Sequence, residues 1–143
     1  MDRVNKADDL FRQGFSCSQA VLAGFGDVTG LEFDQAVKLG RAFGSGMRRD
    51  GFCGALIGAA LVLGFKEKSR DNEREARYAA YDYFRTLADR FEQAHGSAKC
   101  RELLGGVDLA TAAGQAQAVE AELFTTLCPR FVHTAAGLLE ELL

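Results

Sequence analysis

Apolar residues recur at three- and four-residue intervals along almost the whole chain. No stretch alternates apolar and polar positions between turn signals, so the pattern predicts an all-α fold. Val4, Ala7, Leu10 and Phe11 share one face of a first helix expected from about Arg3 to Gln13, which Gly14 can end in a left-handed conformation. A second helix starts at Phe15 and Ser16, carries Ala20, Val21, Leu22 and Ala23, and is broken up by Gly24, Gly26 and Gly30. A third is expected from Phe33 and Asp34, with Asp34 as its cap, through Ala36, Val37, Gly40 and Phe43 to a stop at Gly44-Ser45-Gly46.

The weakly polar run from Phe52 to Phe65 is 14 residues long, short of the ~20 that cross a bilayer, and reads as a buried helix. Glycine is costly inside a helix, yet Gly54 and Gly58 sit four apart on one face. Close approach of a neighbouring helix is the simplest reason. The longest helix is expected from about Asp71 to His95, with Ala76, Ala80, Tyr83, Leu87, Phe91 and Ala94 facing inward and ordinary charge pairs such as Glu73 with Arg77 and Arg85 with Asp89 outside. Gly96 ends it. Ser97 can cap a short helix through Leu104, Thr111 can cap another reaching Phe124, and a last helix follows Cys128 and Pro129 with Val132, Ala135, Ala136, Leu139, Leu142 and Leu143 on its docked face. The expectation is a single-domain bundle of about six or seven helices spanning residues 1–143.

Composition narrows the class. The chain is 48% hydrophobic and 26% charged, an ordinary soluble globular balance. A net charge of −3 argues against a nucleic-acid partner. The polar start Met1-Asp2-Arg3 lacks the apolar core of a secretory signal, so a cytoplasmic location is expected. Cytoplasmic cysteines are rarely permanent disulfides, which gives metal binding or redox chemistry more weight for the four thiols.

Those thiols share a context. Cys17 follows the cap candidate Ser16, Cys53 heads the glycine-rich helix, Cys100 lies three residues after Ser97, and Cys128 precedes Pro129, a residue favoured in a first helical turn. A helix start offers unpaired N–H groups and the positive end of the macrodipole, which favour a thiolate. Taken singly, each cysteine reads as a small buried hydrophobe; four of four at helix starts point to one site. No two cysteines lie within 27 positions of each other, so there is no C-x-x-C pair, ferredoxin run or c-type haem motif, and three disulfide connectivities stay open.

Cys53-Gly54-Ala55-Leu56-Ile57-Gly58 resembles the CGAxxG signature of a family of small redox-active proteins with four characteristic cysteines, the C_GCAxxG_C_C family. Gly14 to Val21 looks like that family's first cysteine segment, and Gly44-Ser45-Gly46-Met47 like its approach to the signature. Cys100 to Gly105 is similar to the third segment and Cys128 to Val132 to the fourth. The resemblance implies a helical fold and redox chemistry at Cys17, Cys53, Cys100 and Cys128. It also implies a neighbourhood of transporter components, hence a membrane-protein partner, and, from a similar domain in split-Soret cytochromes, an iron–sulfur centre.

Two functional readings follow. The first is a cysteine-based redox protein, working by thiol/disulfide cycling or through an iron–sulfur or other metal centre on the four cysteines, with an unidentified redox partner. The second is a helical interaction module that docks a partner on the Gly54 and Gly58 face, its cysteines packed or holding zinc. His133, His95, Arg48 and Arg49 are secondary candidates as bases, ligands or thiolate-stabilising charges, although each also fits a solvated helix end or loop. Tyr78, Tyr81, Tyr83 and Phe84 read as core and helix contact. A homodimer is expected on base rates.

Overall fold

The computed structural model describes residues 2–67 and 72–143, and all regular structure among them is helical apart from an isolated antiparallel bridge pairing Phe52 with Lys99. Helix α1 (Arg3–Arg12) starts where the Asp2 carboxylate accepts the Asn5 N–H at 2.8 Å. Helix α2 (Cys17–Gly24) opens with a reciprocal cap. The Ser16 hydroxyl accepts the Gln19 N–H, and the Gln19 side-chain carbonyl accepts the Ser16 N–H at 2.9 Å. The chain continues through α3 (Gly26–Thr29), α4 (Phe33–Gly40), α5 (Gly54–Leu63), α6 (Glu73–His95), α7 (Cys100–Leu103), α8 (Ala112–Glu120), α9 (Leu123–Thr126) and α10 (Cys128–Leu142).

These are more helical segments than the six or seven expected, because local backbone choices divide what periodicity joins. Glu122 adopts φ +57° and separates α8 from α9, so the helix that Thr111 caps stops short of Phe124. Helix α4 ends at Gly40, before Phe43, and Glu32 occupies its cap position, with Asp34 inside the first turn. Lys99 occupies the cap position of α7; the Ser97 hydroxyl instead accepts the Lys99 N–H at 3.1 Å and donates to Glu102 at 2.6 Å. Asn72 caps α6; the expected start at Asp71 lies outside the described residues. On α6, Ala94 is exposed and His95 takes the inward position, against Phe91 and Phe131. Tyr78 and Tyr81 are exposed and meet each other rather than the core, and Arg85 pairs with Asp82 rather than Asp89.

Helix α5 is the hub. Its Ala55, Leu56, Ala59, Val62 and Leu63 are buried, and α2, α6 and α10 pack around it, with α1 laid across α2 and α10. Each large apolar side chain buried here contributes roughly 1.5–3 kcal/mol. The tightest approach is between α5 and α2. A Cβ on Gly58 would lie 2.8 Å from the Ser18 carbonyl oxygen and 3.0 Å from the Val21 Cβ. The face proposed for partner docking is therefore filled by the chain's own α2. Ser18, fully buried, donates its hydroxyl hydrogen to the Gly40 carbonyl at 2.7 Å and pins the end of α4 to the other side of α2.

Opposite effects of one substitution test this packing. Gly58→Ala forces two helices apart and is expected to lower unfolding stability by about 1–3 kcal/mol. Gly137→Ala on α10 meets nothing within 4 Å and is expected to raise it by up to about 1 kcal/mol. Urea denaturation of both variants is the check.

Candidate thiol site

Cys17 occupies the first position of α2, where the N–H groups of Cys17 and Ser18 have no intrahelical carbonyl to bond. Together with the Ser45 N–H, these groups favour the charged form of Cys17. Ser45 begins an unusual segment. Ser45, Gly46, Met47 and Arg48 all have left-handed φ values between 52° and 61°, and Asp50 follows at 60°. Such a conformation costs a side-chain-bearing residue roughly 1–2 kcal/mol. The cost is offset by bonds that lock the turn: the Gly44 carbonyl accepts the Met47 N–H at 2.8 Å, and the Gly46 carbonyl accepts the Gly51 N–H at 2.9 Å.

The same segment carries the second and third cysteines to the first. The Gly51 carbonyl accepts the Cys100 N–H at 3.1 Å, and the Cys53 N–H donates to the Ala98 carbonyl at 2.8 Å. A Cβ on Gly46 would lie 3.0 Å from the Cys100 Cβ, so only glycine lets the turn close on α7. On the α5 side, a Cβ on Gly54 would stand 2.3 Å from the Cys17 sulfur. Cys128 starts α10. All four cysteines are free thiols and line one cavity of about 380 Å³, together with Phe11, Phe15, Phe124 and Phe131.

Their protonation behaviour differs. The neighbouring Cys53 thiol and the surrounding backbone N–H groups outweigh burial and bring Cys17 down to about 7. Cys53 moves well up, first because Cys17 takes the negative charge of the pair, then because it is buried. Burial pushes Cys100 and Cys128 up to about 12, helped by the negative charge of Cys17. The expectation that every helix start lowers its thiol is thus corrected. Cys100 starts the single-turn α7 and Cys128 the 15-residue α10, yet at both the loss of water around a charge exceeds what the helix end supplies.

The four sulfurs border one space, but among the described residues no three His, Cys, Asp or Glu side chains converge as metal ligands. The arrangement as it stands does not fit a four-cysteine cluster or zinc site.

Residues 15–142, which include all four cysteines, match the family described as "Putative redox-active protein (C_GCAxxG_C_C)". The chain belongs to that family. No curated protein and no solved structure is detectably similar to it. The C_GCAxxG_C_C description names redox activity, and no helix among the described residues is long and apolar enough to cross a membrane.

Within this family member the secondary candidates lie elsewhere. His133 is exposed and its Nδ1 meets the Asp8 carboxylate at 2.7 Å, whereas His95 meets the Thr134 hydroxyl at 2.9 Å and is held below its ordinary pKa by burial and then by Arg130. Neither lines the thiol cavity, and nor do Arg48 and Arg49; Arg12 does. Ser45 and Arg12 escaped sequence reasoning. Gly44-Ser45-Gly46 was the available signal for a backbone donor, while nothing local marks Arg12.

Alkylation by iodoacetamide, followed by peptide mass analysis, checks the electrostatics. Cys17 labelling is expected to rise with pH as the thiolate forms, with a midpoint near 7. Cys53→Ala removes the neighbouring thiol and is expected to move that midpoint upward, toward the ordinary value of about 8.5.

Proposed function

We propose that this protein is a dithiol redox protein in which Cys17 is the attacking thiolate and Cys53 the resolving thiol. The observation that carries the reading is the placement of both free thiols on one cavity wall, with the Gly54 backbone against the Cys17 sulfur. In that setting Cys17 is held near neutral pH and Cys53 stays protonated. A thiol with a pKa close to the ambient pH combines a large thiolate fraction with strong nucleophilicity.

The exchange balances as follows. The Cys17 thiolate attacks one sulfur of a substrate disulfide, forms a mixed disulfide and releases the first substrate thiolate. Cys17 then carries no charge, so the main influence holding up the Cys53 pKa is removed. Cys53 gives its proton to solvent and its sulfur attacks the Cys17 sulfur. The second substrate thiolate leaves. The substrate has gained two electrons and the protein holds a Cys17–Cys53 disulfide, which an external dithiol reduces to complete the cycle. Cys100 and Cys128 remain neutral thiols through this step, lining the space in which it occurs.

Hydroxyethyl disulfide added to reduced protein is expected to yield the Cys17–Cys53 disulfide as the dominant product by mass mapping, while Cys53→Ala stops at a mixed disulfide on Cys17. Stoichiometric iron and sulfide in anaerobically purified protein would overturn the dithiol reading in favour of a cluster. An internal disulfide that omits Cys53 would remove Cys53 from the resolving role.

A further inference from the structure

We infer that the substrate reduced at this site is a small organic disulfide with an aromatic-sized apolar body and no positive charge, an inference that rests on the dithiol reading above. Beyond the sulfurs, the cavity wall is built mainly from Phe11, Phe15, Phe124, Phe131, Leu104 and Leu109. Its volume of about 380 Å³ falls in the range of small-molecule pockets. A ligand whose disulfide reaches Cys17 therefore lays its carbon body against these rings.

The wall also discriminates against other substrates. A disulfide within a protein loop would bring backbone N–H and C=O groups with it, and the cavity offers few side-chain partners for them: the hydroxyls of Ser16, Ser45 and Thr125. Each buried backbone group left unpaired opposes binding. Among the described residues Arg12 is the single charged side chain on the wall apart from the Cys17 thiolate, and although it pairs with Asp9, its guanidinium has further N–H donors. It favours a neutral or anionic substrate over a cationic one.

Alkyl methanethiosulfonates test this directly, because every member of the series forms a mixed disulfide with the attacked thiolate and expels the same methanesulfinate. Each rate at Cys17 is divided by the rate with free 2-mercaptoethanol, which cancels intrinsic reactivity. The benzyl reagent is expected to exceed the methyl reagent by about tenfold or more, the scale of burying an aromatic ring. After the same normalisation the sulfonatoethyl reagent is expected to exceed the trimethylammonioethyl reagent. Phe124→Ala should reduce the benzyl-to-methyl ratio several-fold, in a variant whose circular dichroism spectrum matches that of the parent protein.

Reaction of Cys17 with the methyl reagent but no benzyl preference overturns the substrate inference and leaves the dithiol reading standing. A preference for the trimethylammonioethyl reagent overturns the charge selectivity. Failure of the methyl reagent to modify Cys17 overturns the dithiol reading, and the substrate inference with it.

Discussion

Helices α2 and α5 meet with no α5 side chain between them at Gly54 and Gly58, and the thiol site exists only at that separation. One glycine lets the α5 backbone rest on Ser18 and Val21; the other leaves room for the Cys17 sulfur. A single added methyl group would fill either space. Because Cys53 is the residue immediately before α5, the same contact that packs the hub of the bundle brings the Cys53 thiol to Cys17. Packing and chemistry are one constraint here. The buried Ser18 side chain reinforces it by tying α2 to the end of α4.

Around that contact, burial and backbone donors compete at every sulfur. Where donors are dense the thiolate wins: Cys17 has its own N–H, that of Ser18, that of Ser45 and the Cys53 thiol. Where they are sparse, burial wins, and Cys100 and Cys128 stay protonated. The left-handed run at Ser45–Arg48 is part of this balance, since it places Ser45 beside Cys17 on the cavity wall while its closing bonds hold Gly51 against Cys100. Strain held in place by its surroundings at a site of chemistry is a recurring arrangement.

Much of this was legible in the sequence. Periodicity marked the helices, Gly54 and Gly58 announced a close helix contact, and the common position of the cysteines at helix starts pointed to a shared site. What escaped was set by geometry rather than pattern. Breaks such as the left-handed Glu122 leave the hydrophobic period intact, so α8 and α9 read as one helix. Small rotations of α6 decide whether Ala94 or His95 faces inward, and spacing alone does not resolve them. The division of the thiols into one acidic and three protonated depends on which backbone N–H groups arrive from distant loops, information that no single segment holds.

The Gly54→Ala variant gives the sharpest measurement. Its methyl group would occupy the space of the Cys17 sulfur and press on the Gly44 backbone at 2.9 Å, pushing the sulfur away from its donors. In a variant shown by circular dichroism to keep its helices, titration of the thiolate ultraviolet absorbance should show the near-neutral ionisation of the parent protein displaced upward by about one pH unit or more. An unchanged near-neutral ionisation in that folded variant would contradict the proposal that the α2–α5 contact sets the reactivity of Cys17.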